Sequence, residues 1–224
     1  MTSGDRQTTG LHGSAALAVL PFFFAWCLLF SGCEQPPEAH HFTGAIMGTF
    51  YNVKIAGPPT EDQAAAAEAA VLAALERVDR KMSTYKESSE LSQFNAHRGV
   101  DPFPLSAETL QVFTIAQQVS VQSGGAFDVT IGPVVNAYGF GPKEVAQPPT
   151  PETLAALREV IGYEKLAVDP DAKTLAKQHP DMYCDLSAVA KGYGVDAAAE
   201  ALDALGLTDY MVELGGEVRA RGRN

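Results

Sequence analysis

The chain is expected to fold as an α+β protein, a single domain of mixed helices and antiparallel strands. Three observations predict this. Helical and strand-like stretches alternate without the strict strand-helix-strand rhythm of a doubly wound sheet. Apolar alternation between Leu166 and Leu186, on either side of a DPDAK turn, reads as a hairpin, and TDYMVELGGEVRARG reads as a strand interrupted by a glycine pair. The length of 224 residues suits one domain with a sizeable core.

Taken in order, the chain opens with Arg6 in a polar leader and an apolar run from Ala15 to Phe30, followed by Ser31, Gly32 and Cys33. That run is short for a bilayer span, and small residues before a cysteine have the form of a bacterial lipoprotein signal. Residues 1–32 are therefore expected to be the signal, Cys33 the lipidated residue, 33–41 a polar Pro-containing tether, and 42–224 the domain. The expected location is lipid-anchored on the outer (periplasmic) face of the cytoplasmic membrane. An apolar leader that stays attached would also leave the domain outside the cytoplasm.

FTGAIMGTFYNVKIAG reads as a strand with a close backbone approach at Gly48. Thr60 and Gln63 form a capping-box pattern, and Val71, Leu75, Val78 and Met82 recur on one face of the helix that follows. STYKESSELSQFNAHRG is polar and turn-rich, which predicts surface. Ser106 starts a second helix with Val112, Ala116 and Val119 on its apolar face and a stop at Gly124 and Gly125. Thr150 followed by Pro151 starts a third. The hairpin then leads into a helix that begins near Asp185 and ends at Gly206.

The formal net charge of −11 argues against nucleic acid as a partner and against adhesion to anionic headgroups, both of which require basic patches. The five histidines suggest no metal cluster, and His40 and His41 fall in the tether. Cys27 lies in the apolar leader and Cys33 is committed to lipid, so Cys184 is expected to be a small buried strand residue.

The segment DLSAVAKGYGVD, from Asp185 to Asp196, carries the most chemistry. An acid, small residues and Lys191 stand at the start of a helix, where free backbone N–H groups and the helix dipole favour a phosphate. Asp185 beside such a site suggests a nucleotide-like ligand. The same residues also suit an ordinary cap by Asp185 or Ser187 with a solvated Lys191, and the segment alone leaves both readings open. GGAFDVTIGP, from Gly124 to Pro133, offers Phe127 as an apolar wall and Asp128 either as an acceptor for a ring or ribose group or as a turn former.

With MGT at Met47 to Thr49, STYKESSELSQFN at Ser83 to Asn95 and ELGGEV at Glu213 to Val218, these motifs stand in a fixed order. Jointly, from about Thr43 to Gly222, they resemble the ApbE family of FAD:protein FMN transferases, which have a T-fold-like domain of mixed helices and antiparallel strands and are often lipoproteins. The resemblance implies that Met47, Tyr85, Ala126, Phe127, Asp128, Asp185 and Lys191 line an FAD site, and that the backbone oxygen of Ala188 contributes to Mg²⁺ binding. It implies FAD cleavage with Mg²⁺, transfer of FMN through a phosphoester to a threonine or serine of a target flavoprotein, and release of AMP. The implied partners are FAD and flavin-accepting subunits of membrane respiratory complexes. Alternatives are a non-catalytic FAD-binding lipoprotein and an FAD pyrophosphatase that gives FMN and AMP.

The chain departs from the family pattern in several places. Val129 replaces the usual proline, Tyr138 a common tryptophan, and Ser187 and Ala188 a glycine pair. The family also carries later H-I/L-D-P-x-T-G and D-A-x-x-T motifs that do not occur here. The expectation is therefore a fragment or truncated product with incomplete Mg²⁺ coordination and little transferase activity.

Overall fold

The structure, a computed structural model, describes residues 39–223. The expected signal, Cys33 and most of the tether lie outside the described residues. The first strand, β1 (His40–Ile46), begins two residues before the expected domain start, so His40 and His41 are strand residues and not tether.

The opening stretch expected as one strand is a hairpin. β1 pairs antiparallel with β2 (Thr49–Ile55), with Ile46 opposite Thr49, so Met47 and Gly48 alone form the turn. Both have positive φ, 52° and 72°, as a tight two-residue hairpin turn of the primed kind requires. The later stretch repeats this design. β6 (Tyr210–Leu214) and β7 (Glu217–Arg221) pair across a Gly215-Gly216 turn, and β2 pairs antiparallel with β6. The first sheet is therefore ordered β1-β2-β6-β7, with every pairing antiparallel.

α1 (Glu61–Met82) has the capping box read from the sequence. Gln63 N–H donates to Thr60 Oγ1 at 3.2 Å, and Thr60 N–H donates to Gln63 Oε1 at 3.1 Å. α2 (Glu90–Ala96), capped by Ser89, lies within the stretch expected to be surface. Leu91 and Phe94 are instead fully buried, because a polar-looking run with one apolar residue every third position still makes a one-sided helix.

A short strand β3 (Phe103–Pro104) leads to α3 (Ala107–Gln122), capped by Ser106. Val112 and Ala116 of α3 are buried as expected, whereas Val119, at the same helical spacing, is exposed near the end of the helix. After a 3-10 turn over Val129–Ile131 come the short helix α4 (Gly132–Ala137) and α5 (Pro151–Arg158). The expected hairpin is β4 (Leu166–Asp169) with β5 (Thr174–Lys177), and β3 completes a second sheet ordered β3-β5-β4. Residues 178–186 then cross without regular structure into α6 (Ser187–Ala204). Cys184 is fully buried as expected, but it lies in this crossing and not in a strand.

α1 and α6 pack on each other and form a wall shared by two cores. Ala67, Val71 and Leu75 of α1 meet Val195, Ala198, Ala199 and Leu202 of α6 over the first sheet. Ala74, Val78 and Met82, shifted to the adjacent stripe, meet α2, α3, the second sheet and the 182–186 crossing. The alanines of α6, low in information as sequence, allow the two helices to approach closely.

Two predictions follow from this wall. Leu75→Ala removes a fully buried side chain where the two helices meet the sheet and is expected to lower unfolding stability by about 2–5 kcal/mol in a denaturant titration. Tyr210 Oη donates to Asp203 Oδ1 at 2.8 Å and also to the Ala199 carbonyl at 3.1 Å. Burial, then the Asp203 carboxylate, push its pKa from 10.0 to about 12. The folded state therefore holds this proton more tightly than the unfolded chain, and the associated stability is present below pH 10 and lost between about pH 10 and 12. Urea midpoints measured across that range should fall for the parent and fall less for Tyr210→Phe.

Candidate functional site

The site is assembled where α6 begins. Leu186 at its N-cap makes no side-chain capping bond. Asp185 serves instead, with Oδ1 accepting from Ser187 N–H at 2.8 Å, while the N–H groups of Val189 and Ala190 donate to the Leu186 carbonyl. Three of the first four helical N–H groups are thus taken within the chain, so the expected array of free donors is largely used before any ligand arrives. The remaining attraction for an anion is the helix dipole, the Ala188 N–H region and nearby positive charge.

Asp185 also faces the GGAFDVTIGP loop. Its backbone N–H donates to the Val129 carbonyl at 2.8 Å. At Gly132 the loop and the crossing come so close that a Cβ would lie 2.6 Å from the Tyr183 carbonyl oxygen and 2.5 Å from the Tyr183 ring. Between loop and helix start lies a cleft of about 580 Å³, within the usual size range of small-molecule sites. Ala126, Phe127, Asp128, Asp185 and Ala188 all line it, together with Ile131, Val135 and Phe140.

The remaining expected residues are placed around this cleft. Tyr85 is exposed and its hydroxyl donates to the Phe140 carbonyl at 3.0 Å, which puts it beside a lining residue. Lys191 stands one helical step beyond Ala188. Its Nζ pairs with Glu217 Oε1 at 3.0 Å and donates to the Gly215 carbonyl at 3.4 Å, so it is held by the β6–β7 turn and is not freely solvated. Glu217 Oε2 is buried without a partner. Met47 packs against both cores, with its sulfur 3.8 Å from where a Cβ would stand on Gly194 of α6. The structure thus gathers five of the expected residues into one cleft, with Tyr85 at its Phe140 wall, Lys191 on the neighbouring stretch of α6 and Met47 of the β1–β2 turn packed near Gly194 of that helix.

Asp128 has a structural task within the chain. Oδ1 accepts from Thr130 N–H at 2.8 Å and Thr130 Oγ1 at 2.7 Å, and Oδ2 accepts from Tyr163 N–H at 2.9 Å. Thr130, itself fully buried, accepts from Gly162 N–H at 2.8 Å. The carboxylate is therefore the turn former that the sequence reading left open, and it ties the cleft loop to the 162–163 turn.

Other residues escaped the sequence reading. Glu90 Oε2 accepts from Ser106 N–H, Ser106 Oγ and Thr109 Oγ1 at 3.1, 2.7 and 2.6 Å, so it holds the start of α3. Asn95 bonds both backbone groups of Cys184. Both lie in a motif whose spacing was visible, but their partners are distant in sequence. Phe140, between two glycines, carried no periodic signal. Burial pushes the Cys184 thiol pKa well up, which suits an inert packing residue. A second groove of about 650 Å³ lies along α3 and β4, lined by Gln117, Val121 and Leu166 among others, and it contains none of the expected residues. The chemistry favours the smaller cleft, which combines apolar and aromatic walls with a carboxylate and a helix start.

Asp128→Ala leaves three donors without their acceptor and is expected to cost about 1–3 kcal/mol of unfolding stability, read by thermal or urea melting. Gly132→Ala is expected to cost about as much through overpacking against Tyr183.

The chain is similar to known proteins in both sequence and fold. The family model described as the ApbE family matches residues 47–224. The chain is 44% identical over 200 residues to a FAD:protein FMN transferase of Vibrio cholerae serotype O1, covering 88% of this chain and 59% of that one. It is 42% identical over 206 residues to the FAD:protein FMN transferase of Haemophilus influenzae, covering 89% and 59%. The solved flavin transferase ApbE from Vibrio cholerae superposes with a TM-score of 0.80 at 43% identity, covering 84% of this chain and 61% of that one. The chain spans about three fifths of the length of these relatives. With its motifs brought together on the same mixed α and antiparallel β fold, the chain belongs to the ApbE family.

Proposed function

We propose that the cleft between the Gly124–Pro133 loop and the start of α6 binds FAD, and that the protein acts in FAD:protein FMN transfer. The observation that carries this reading is the convergence of Ala126, Phe127, Asp128, Asp185 and Ala188 on one cleft in a chain whose curated relatives bear that name. Phe127, Ile131, Val135 and Phe140 offer apolar faces to a flat ring system, and the helix start favours the anionic part of the same molecule.

In the proposed reaction the hydroxyl oxygen of an acceptor threonine or serine bonds to the phosphorus on the FMN side of the FAD pyrophosphate. The bond from that phosphorus to the AMP phosphate breaks, AMP leaves, and the hydroxyl proton is released. Asp185 and Ala188 would hold Mg²⁺. The donor set fits a hard cation, because only one Asp185 oxygen is engaged within the described residues and a backbone carbonyl suits the same ion, with substrate phosphates and water completing its shell. Among the described residues no group of three or more His, Cys, Asp or Glu stands ready to hold a metal by protein side chains alone. When bound, the ion would neutralise charge on the phosphate oxygens.

The chain's own residues would orient the substrate. The Asp128 network fixes the loop, Asp185 links that loop to the helix, and Lys191 places a positive charge one step along α6. Flavin-accepting subunits of membrane respiratory complexes are the proposed acceptors. A lipid anchor at Cys33 on the periplasmic face of the cytoplasmic membrane would bring the domain to them.

Incubation with FAD, Mg²⁺ and a threonine-bearing acceptor domain tests the reading by mass spectrometry. The expected product is an acceptor heavier by FMN, together with AMP. Free FMN and AMP with an unmodified acceptor would identify a pyrophosphatase, and intact bound FAD a carrier. Absence of FAD binding would sink the proposal. Asp185→Ala is expected to weaken FAD binding by roughly tenfold or more in an equilibrium titration.

A further inference from the structure

We infer that Asn95 and Lys177 are positioning residues, which together hold the Met182–Cys184 backbone against the end of α2 and so set where Asp185 and the first turn of α6 stand in the cleft. The inference rests on reading that cleft as the FAD site.

The crossing from β5 to α6 has no sheet or helix of its own to fix it, yet it delivers Asp185 to the cleft. Two side chains supply the missing bonds. The Asn95 amide engages both backbone groups of Cys184, Nδ2 donating to the carbonyl at 2.9 Å and Oδ1 accepting from the N–H at 2.8 Å. A side-chain amide here replaces the peptide group of an absent neighbouring strand. One residue upstream of Asn95, the Phe94 carbonyl accepts from Lys177 Nζ at 3.3 Å, and the same ammonium donates to the Met182 carbonyl at 3.2 Å. The next link leads into the site, because the residue after Cys184 is Asp185, whose N–H reaches Val129 of the cleft loop at 2.8 Å.

Lys177 is an expensive way to fill a core. It is 2% exposed and forms no ion pair among the described residues; its hydrogen-bond partners are two carbonyls, the Phe94 ring lies 5.1 Å from Nζ, and the nearby Asp181 carboxylate is paired with Arg98 instead. Burial pushes its pKa below the ordinary lysine value. An apolar side chain of similar length would avoid that desolvation cost, so core stability alone does not account for a lysine here. What an apolar residue cannot do is bridge the Phe94 and Met182 carbonyls.

The test uses the 224-residue chain with Lys177→Met and Asn95→Ala, and Val53→Ala as a control that weakens the other core without touching this junction. Amide hydrogen exchange at Cys184, Asp185 and Ser187 is compared with that at Val53 and Ile55 in the two junction variants. Protection at the first three is expected to fall by about tenfold or more while Val53 and Ile55 keep theirs. FAD affinity is expected to fall by about tenfold in both junction variants, with the control binding as the parent does. Lys177→Met is the decisive variant, since Asn95→Ala leaves buried backbone groups unpaired and could unfold the domain. Unchanged protection at Cys184 and Asp185 in Lys177→Met would overturn the inference. A loss of FAD affinity matched by Val53→Ala would overturn it too, by showing that destabilisation alone weakens binding. If the parent itself fails to bind FAD, the reading of the cleft fails, and the exchange data still decide whether these two residues set the junction.

Discussion

The hydrogen bond from Asp185 N–H to the Val129 carbonyl marks the junction on which the proposed site depends. On one side stands a glycine-rich loop whose Asp128 caps a single 3-10 turn, and on the other a helix whose N-cap residue offers no capping side chain. Neither half would be placed by local propensity. Asp128, Thr130 and the 162–163 turn stiffen the loop, Asp185 closes the first helical N–H, and the absence of a side chain at Gly132 lets the two halves meet. The cleft exists because these contacts agree on one spacing.

The two cores serve that spacing. α6 lies between them, anchored on the first sheet through Val195, Ala199 and Leu202 along its length and on the second core through Ala197 and, near its start, Ala190. Small side chains along α6 let α1 pack closely, which reduces the freedom of the helix to tilt when a ligand pulls on its first turn. Along the same helix, ion pairs link α6 to β7, Lys191 to Glu217, Asp196 to Arg219 and Asp203 to Arg221, with the strand partners in the i, i+2, i+4 register of one strand face. Such exposed pairs add little stability individually, but together they fix the register between helix and strand. Lys191 belongs to this ladder as much as to the site, and a ligand that engages it must compete with Glu217 and the Gly215 carbonyl.

Much of this was legible in the sequence where the signal is local. The Thr60 and Gln63 capping box, the Ser106 and Thr150 caps and the DPDAK hairpin all act within a few residues, whereas the Gly215-Gly216 pair, expected to interrupt one strand, is the turn between two. The Met47-Gly48 turn was misread as a strand interior because methionine at positive φ is unusual and gives no turn signal. Val119 fits the apolar spacing of α3, but it sits on the turn where that face rotates away from the core. Phe127, Asp128 and Asp185 drew attention within their own segments, but only the joint order of five motifs linked them, since composition and periodicity say nothing about which loops meet. Asn95 and Glu90 show the same limit: each looks like an ordinary polar residue until its partner, 89 or 16 residues away, is seen.

A structure of the chain with FAD and Mg²⁺ tests the central claim most directly. The account predicts the flavin against Phe127 and Phe140, the phosphates at the first turn of α6 beside Asp185 and Ala188, and the Asp128 carboxylate still bonded to Thr130 and Tyr163. Flavin seated in the groove along α3 and β4, or Asp128 released from its loop to grip the ligand, would contradict it.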